Sequence, residues 1–360
     1  MRINADARLA VIGAGVRWRP VVEAAAAFGL APVVGSSVTV GAIGYTLGGG
    51  LGPLARSHGF SSDWVQGFRV VTATGDVATA DAHENPDLFW ALRGGKGGFG
   101  IVTEVTVELA PLPALYAGGL YFEGTNNIEA ALRAWVEWLP DAPENVSTSV
   151  ALLRLPDEES APAHLRGRNL LHLRFAFPGD PSEGERLIAP LRAAGLAYLD
   201  TVGELPLREV AAIHGDPEAP QPLKSFCAEL TGIDQDLVTA LLRLVGPEAD
   251  SPFVEVELRH LGGAAARDTA ETTAVGGRDG ALMLRQVVEN PSLFAAARDV
   301  STDVFGAAVP WRAAVTNVNF AGNTAIPSAF EAASPDAIRS RLAELRAKYD
   351  PNRVFPFGPS

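Results

Sequence analysis

The chain has 360 residues, 47% of them apolar and 20% charged, which suits a soluble globular protein of about two domains with a sizeable core. Lys plus Arg total 29 against 42 Asp plus Glu, and the resulting net charge of −13 repels polyanions, so no nucleic acid partner is expected. A single cysteine, Cys227, excludes an intramolecular disulfide, and no apolar run is long enough for a bilayer span; with no signal-peptide pattern at the N-terminus, these features predict a cytoplasmic protein without a membrane partner.

Residues 8–13 form a short apolar run that reads as a strand, and 18–28 reads as a helix closed by Gly29. Two β-rich runs flank Thr74-Gly75-Asp76 and predict a hairpin over 67–80. Asn85, Pro86 and Asp87 supply a cap, a first-turn proline and a first-turn acid to a helix over 88–93 that stops at Gly94. From 101 to 109 the alternation predicts a strand with Ile101, Thr103, Val105, Val107 and Leu109 on a buried face and Glu104, Thr106 and Glu108 on a wet one. Pro111 and Pro113 then mark a domain boundary.

Beyond that boundary, amphipathic helices over 128–139, 183–194 and 235–245 interleave with strands over 170–177, 253–261 and 281–288, a pattern that predicts an antiparallel sheet covered by helices. On 253–261, Glu255, Glu257 and Arg259 share one face while Val254, Val256, Leu258 and His260 share the other. A last helix is expected over 335–348. The six histidines are dispersed without metal-ligand spacing, so no metal is expected.

Two glycine clusters frame the first part of the chain: 35–52 (GSSVTVGAIGYTLGGGLG) and 94–103 (GGKGGFGIVT). Glycine lets backbone N–H groups approach an anion without a side-chain clash, so two such loops converging suit a nucleotide pyrophosphate held by main-chain dipoles. The competing reading is that the glycines only let a helix pack tightly on a strand.

These clusters form part of an ordered series: His58-Gly59 followed by Asp63, 70–75 (VVTATG), 84–95 (ENPDLFWALRGG), 165–168 (LRGR), 257–264 (ELRHLGGA), 317–320 (NVNF) and 348–352 (KYDPN). The series spans nearly the whole chain and resembles the vanillyl-alcohol-oxidase superfamily of FAD-linked oxidoreductases, in particular its bacterial berberine-bridge-enzyme-like group. The resemblance implies an α+β, two-domain FAD-binding fold of PCMH type: 1–112 as the second FAD-binding subdomain, 113–322 as a substrate domain with an antiparallel sheet plus helices, and 323–360 returning to the FAD-binding part. It implies FAD as cofactor and hydride transfer from a small organic substrate, often an alcohol or secondary metabolite, to the flavin N5, with dioxygen as electron acceptor in many members. A redox-silent ligand-binding homologue and non-redox chemistry on the same scaffold are the alternatives.

Carried over residue by residue, the resemblance assigns cofactor contact to Ser37, Thr39, Val40, Gly41, Ala42, Ile43 and Gly44, to Gly48 and Gly49, to Asp63, to Gly100, Ile101 and Val102, and to Asn319. Gly48 to Gly50 would open the next element, where a helix N-terminus adds a favourable dipole; Asp63 reads equally as a turn-fixing residue. Relatives carry an upstream phosphate loop with a histidine that often bonds the flavin covalently, whereas this chain starts at Met1, downstream of that loop. The expectation is an N-terminally truncated fold that retains FAD weakly.

Four further departures concern individual side chains. Ser37 stands where doubly tethered relatives have cysteine, which excludes a thioether there. Asn317 falls at the position of a family tyrosine that serves as base, and an amide cannot hold that proton. Gly276-Gly277-Arg278 replaces a Pro-His-Arg element, and Gly98 replaces a common asparagine, with Lys96 nearby. The candidate catalytic residues are therefore Glu257, Arg259, Gln286 and Asn317, weighed against a solvated ion pair for Glu257 and Arg259.

Overall fold

A computed structural model describes residues 1–159, 161–322, 331 and 333–356. Its first layer is an antiparallel sheet built from β1 (Arg2–Asn4), β2 (Leu9–Gly13), β4 (Val65–Val71), β5 (Val77–Asp81) and β6 (Ile101–Glu108), in the order β1-β2-β6-β4-β5. A two-strand pair, β3 (Leu30–Ala31) with β7 (Ala110–Pro111), closes its rim. Helix α1 (Trp18–Ala26) covers one face because Trp18, Val21, Val22 and Ala25 recur at helical spacing and are all buried. Fully burying each such large apolar side chain stabilises the fold by roughly 1.5–3 kcal/mol.

The strict alternation expected over 101–109 breaks once. Val70 pairs with Val102 while Arg69 pairs with Glu104, so Thr103 is an extra residue in the ladder. The bulge reverses the facing of the strand's start: Ile101 is 57% exposed and Val102 buried, whereas Val105 and Val107 are buried further along.

The second layer is an eight-stranded antiparallel sheet. Its strands are β8 (Tyr116–Glu123), β9 (Ser147–Arg154), β10 (Asn169–Phe177), β11 (Ala197–Asp200), β12 (Gly203–Glu204), β13 (Lys224–Leu230), β14 (Glu255–His260) and β15 (Leu282–Val288). They run in the order β11-β8-β10-β9-β14-β15-β13, with β12 paired to β8. The strands over 170–177, 253–261 and 281–288 were legible in the sequence; β8, β9, β11 and β13 were not separately anticipated.

Helices α5 (Thr125–Trp138), α6 (Pro181–Arg192), α7 (Gln235–Val245) and α8 (Phe294–Ala307) cover one face of this sheet and share its apolar core. Asp180 and Asp234 begin α6 and α7 by accepting two backbone N–H bonds each, an N-cap worth about 1 kcal/mol. The uncovered face carries Tyr121, His172, Arg174, Glu257, Arg259 and Arg285, and it looks onto the first layer.

The C-terminal helix α9 (Asp336–Tyr349) lies back on α4 (Pro86–Leu92) of the first layer. Lys348 Nζ and Tyr349 Oη donate to the two oxygens of Asp87, at 2.5 and 2.7 Å, and Leu342 and Leu345 join the core around Leu88 and Leu92.

Candidate functional site

The loop 35–41 is tied to the start of α1 by its carbonyls. Arg19 N donates to Val38 O at 2.9 Å and Trp18 N to Val40 O at 3.1 Å, while Ala42 N donates to Val16 O at 3.0 Å. The N–H groups of Ser37, Thr39, Val40 and Gly41 find no acceptor among the described residues. A Cβ placed on Gly41 or Gly44 would meet nothing within 4 Å, so the loop presents free amides beside open space. This arrangement fits main-chain recognition of an anionic nucleotide.

That space is a cavity of about 670 Å³ between the loop and the uncovered face of the eight-stranded sheet. Ser37, Val40, Gly41, Gly44 and Asn319 line it, as does Arg259. The other expected cofactor residues lie elsewhere. Thr39 pairs its hydroxyl with that of Ser37 at 2.9 Å. Ala42 and Ile43 pack on the core of the first layer.

Gly48 and Gly49 serve packing. The side-chain amide of Asn319 occupies the place of a Gly48 Cβ, and Gly49, at φ +92°, lies against Val275 and Phe60. Helix α2 (Ala42–Thr46) begins at Ala42 and ends before these glycines, so the expected helix N-terminus at Gly48 is not there. Asp63 is a buried turn residue: it accepts from Phe60 N at 2.9 Å and pairs with Arg278 at 2.5 Å, away from the cavity. Gly100, Ile101 and Val102 enter β6 and do not line the cavity.

The four catalytic candidates separate. Glu257 is fully buried; it accepts from Arg259 Nε and Nη2 at 3.1 Å each and from Arg174 Nη1 at 3.0 Å. Burial alone would raise its carboxyl, but Arg259, His214 and Arg174 hold it well below the usual carboxylate range. It stays ionised and cannot serve as a proton acceptor near neutral pH. The solvated ion pair weighed for Glu257 and Arg259 is thus a buried one.

Gln286 points to the helix-covered side and donates to Ser301 at 3.2 Å. Asn317 is also buried; its N–H donates to Glu229 at 2.8 Å and its Oδ1 accepts from Asn319 N at 3.0 Å. Neither Gln286, Asn317 nor Glu257 lines the cavity, and Arg259 alone of the four does.

Several cavity residues received no cofactor or catalytic assignment from the sequence. Tyr121 stacks on His172 with centroids 4.0 Å apart, and burial lowers the imidazole well below its ordinary value. His214, lowered to about 4 by burial and Arg174, is likewise neutral. Ser36 donates to Asp216 at 2.5 Å, linking the glycine loop to the second layer. Lys96 lines the cavity at a left-handed φ of 67°, and its Nζ donates to Gly44 O at 3.3 Å and to Asn319 Oδ1. A signal for His172 and Arg174 existed: they are the two polar residues of one parity in an otherwise apolar strand.

Residues 1–81 match the family model described as an FAD binding domain. The (R)-6-hydroxynicotine oxidase of Paenarthrobacter nicotinovorans is 34% identical over 224 residues, covering 60% of this chain and 46% of that protein. An uncharacterized FAD-linked oxidoreductase of Bacillus subtilis is 28% identical over 298 residues, covering 80% of this chain and 62% of its own length. The chain is similar to FAD-linked oxidoreductases over most of its length, and its first 81 residues match an FAD binding domain.

The cofactor this match indicates is FAD. The chain spans about half the length of the first curated relative it matches. Its fold is α+β of the FAD-binding type: the structure of 6-hydroxy-D-nicotine oxidase from Arthrobacter nicotinovorans superposes with a TM-score of 0.82 at 24% identity, covering 98% of this chain and 78% of that one. A berberine bridge enzyme variant superposes with a TM-score of 0.77 at 18% identity, covering 99% of this chain and 78% of that one. No helix among the described residues is long and apolar enough to cross a membrane.

Proposed function

We propose that this chain binds FAD along the loop 35–44 and oxidises a small organic molecule held between that loop and the eight-stranded sheet. The observation that carries the reading is the set of acceptor-free amides of Ser37, Val40 and Gly41 on the wall of a cavity whose opposite wall is a polar strand face. Bound FAD would supply the two-electron acceptor for a hydride leaving a substrate carbon. The residues of the chain bind, orient and exclude water.

Ser37, Val40, Gly41 and Gly44 meet the cofactor, with Thr39 supporting Ser37 through their shared hydroxyl contact. Arg259 is fixed by Glu257 and by a cation–π contact of 5.8 Å to Phe320, so it offers a rigid positive edge to the substrate. Leu153, Leu155, Pro162, Leu165, Val254 and Val287 form an apolar end of the same cavity. They suit a substrate with a hydrocarbon body. The relative's oxidation of 6-hydroxynicotine supports a heterocyclic amine or an alcohol, with dioxygen as the terminal acceptor.

The test is to incubate the purified chain with FAD, remove free cofactor, and add small amines and alcohols without oxygen. Bleaching of the flavin bands, followed by peroxide formation on admitting air, is the expected result; a flavin-bound chain that no substrate bleaches would reject oxidation. That second outcome would favour a redox-silent binding homologue. The motive for keeping it is that Glu257, Gln286 and Asn317 are all withdrawn from the cavity.

A further inference from the structure

We propose that Lys96 is the anion-recognition residue of this cavity, pairing with an anionic oxygen of the bound ligand. The inference depends on the cavity being the ligand site proposed above, but not on the ligand being FAD.

The other cations of the wall already have carboxylate partners, with Glu255 and Glu257 shared among three arginines. Arg174 contacts Glu255 at 3.4 Å and Glu257 at 3.0 Å, Arg259 contacts Glu257 at 3.1 Å, and Arg285 contacts Glu255 at 3.2 Å. Lys96 has no carboxylate partner among the described residues. Its ammonium carries three donors, of which Gly44 O and Asn319 Oδ1 take two. A half-buried cation without a counter-ion is costly unless a ligand supplies one.

The residue is also held in place at some expense. Its backbone adopts φ 67°, a conformation disfavoured for a side chain with a Cβ, of the sort that persists where surrounding structure enforces it. The enforcing elements are visible: Lys96 N donates to Leu47 O at 2.8 Å, and Asn319 Nδ2 donates to Tyr45 O at 2.9 Å. Asn319 is positioned in turn by Asn317, whose own N–H is anchored on Glu229.

The amine is therefore presented at a fixed point where the two glycine clusters meet. Burial lowers it to about 8, so it changes charge in an accessible pH range. Tyr45 on the same cavity wall is pushed up by burial and stays neutral; of the anionic wall groups, Asp216 and Glu255 are engaged by Ser36 and by arginines, and Glu289 is raised by burial and by Glu255.

The experiment compares the 360-residue chain with Lys96→Met and Lys96→Arg, measuring affinity for FAD, riboflavin and hexanoate by calorimetry. A charge-assisted contact predicts a loss of roughly ten- to a hundredfold in Lys96→Met, restored in Lys96→Arg, for at least one anion. Loss for FAD but not riboflavin assigns the phosphates; loss for hexanoate assigns a substrate carboxylate. Binding of hexanoate without FAD would sink the cofactor reading and leave this one standing.

The unmutated chain should hold its anion below a pH of about 8 and release it above, as the amine discharges, while Lys96→Arg shows no such fall. Should Lys96→Met fold poorly, acetic anhydride labelling of Lys96 in the unmutated chain gives the same answer: bound anion must slow the reaction. Unchanged affinities, equal losses for riboflavin and FAD, no anion binding, or labelling indifferent to added anion would each overturn the proposal.

Discussion

The buried carboxylate of Glu229 accepts the backbone N–H of Asn317 at 2.8 Å, while its second oxygen has no partner. Burial raises this group to about 8 from an ordinary value of 4.5. The folded state therefore binds a proton that the unfolded chain has lost, and stability falls as pH rises from about 4.5 to about 8. Glu229→Gln keeps the acceptor and removes the charge. Its melting temperature should exceed that of the parent above pH 8 and approach it near pH 5, with the pH slope flattened; parallel curves would show that Glu229 does not titrate in this window.

Removing Glu257 should be expensive. Glu257→Ala leaves the buried guanidinium groups of Arg174 and Arg259 facing each other without the carboxylate between them. A loss of about 3–5 kcal/mol is expected from denaturant melts. A variant as stable as the parent would mean that water or a rearranged Glu255 replaces the ion pair.

Gly41→Ala and Gly48→Ala should behave oppositely. A Cβ at Gly41 meets open space, so stability should shift by less than about 0.5 kcal/mol while FAD affinity falls. At Gly48 it would come within 2.1 Å of Asn319 Oδ1 and displace that amide from Tyr45 O and Lys96. The cost should be about 1–3 kcal/mol in thermal or chemical denaturation. Equal stability of the two variants would contradict the placement of Asn319.

Asp63 tests whether a residue expected at the cofactor acts only in the framework. Asp63→Asn weakens its pair with Arg278, and both side chains are largely buried. We expect a destabilisation of about 1–3 kcal/mol with FAD affinity unchanged. A drop in affinity at unchanged melting temperature would put Asp63 back at the cofactor.

Much of the fold could be read from periodicity, because α1, α7 and the strand 255–260 each carry a single clean repeat of apolar side chains. The glycine loop was legible for the same local reason: free amides need no distant partner to be recognised. What failed were facts set by neighbours in space. The bulge at Thr103 depends on the register of β4, and the burial of Gln286 depends on α8 lying beneath it. Lys96 was passed over because its significance is an absence of counter-ions, which only the assembled cavity reveals.

Asp87 receives Lys348 and Tyr349 at one end of the chain's path, and β8 departs from the first layer only a few residues past β6 at the other. The larger sheet is thus an insert stitched at both margins into the smaller one. Loosening the small layer frees both hems together, so the two layers should melt in a single cooperative step.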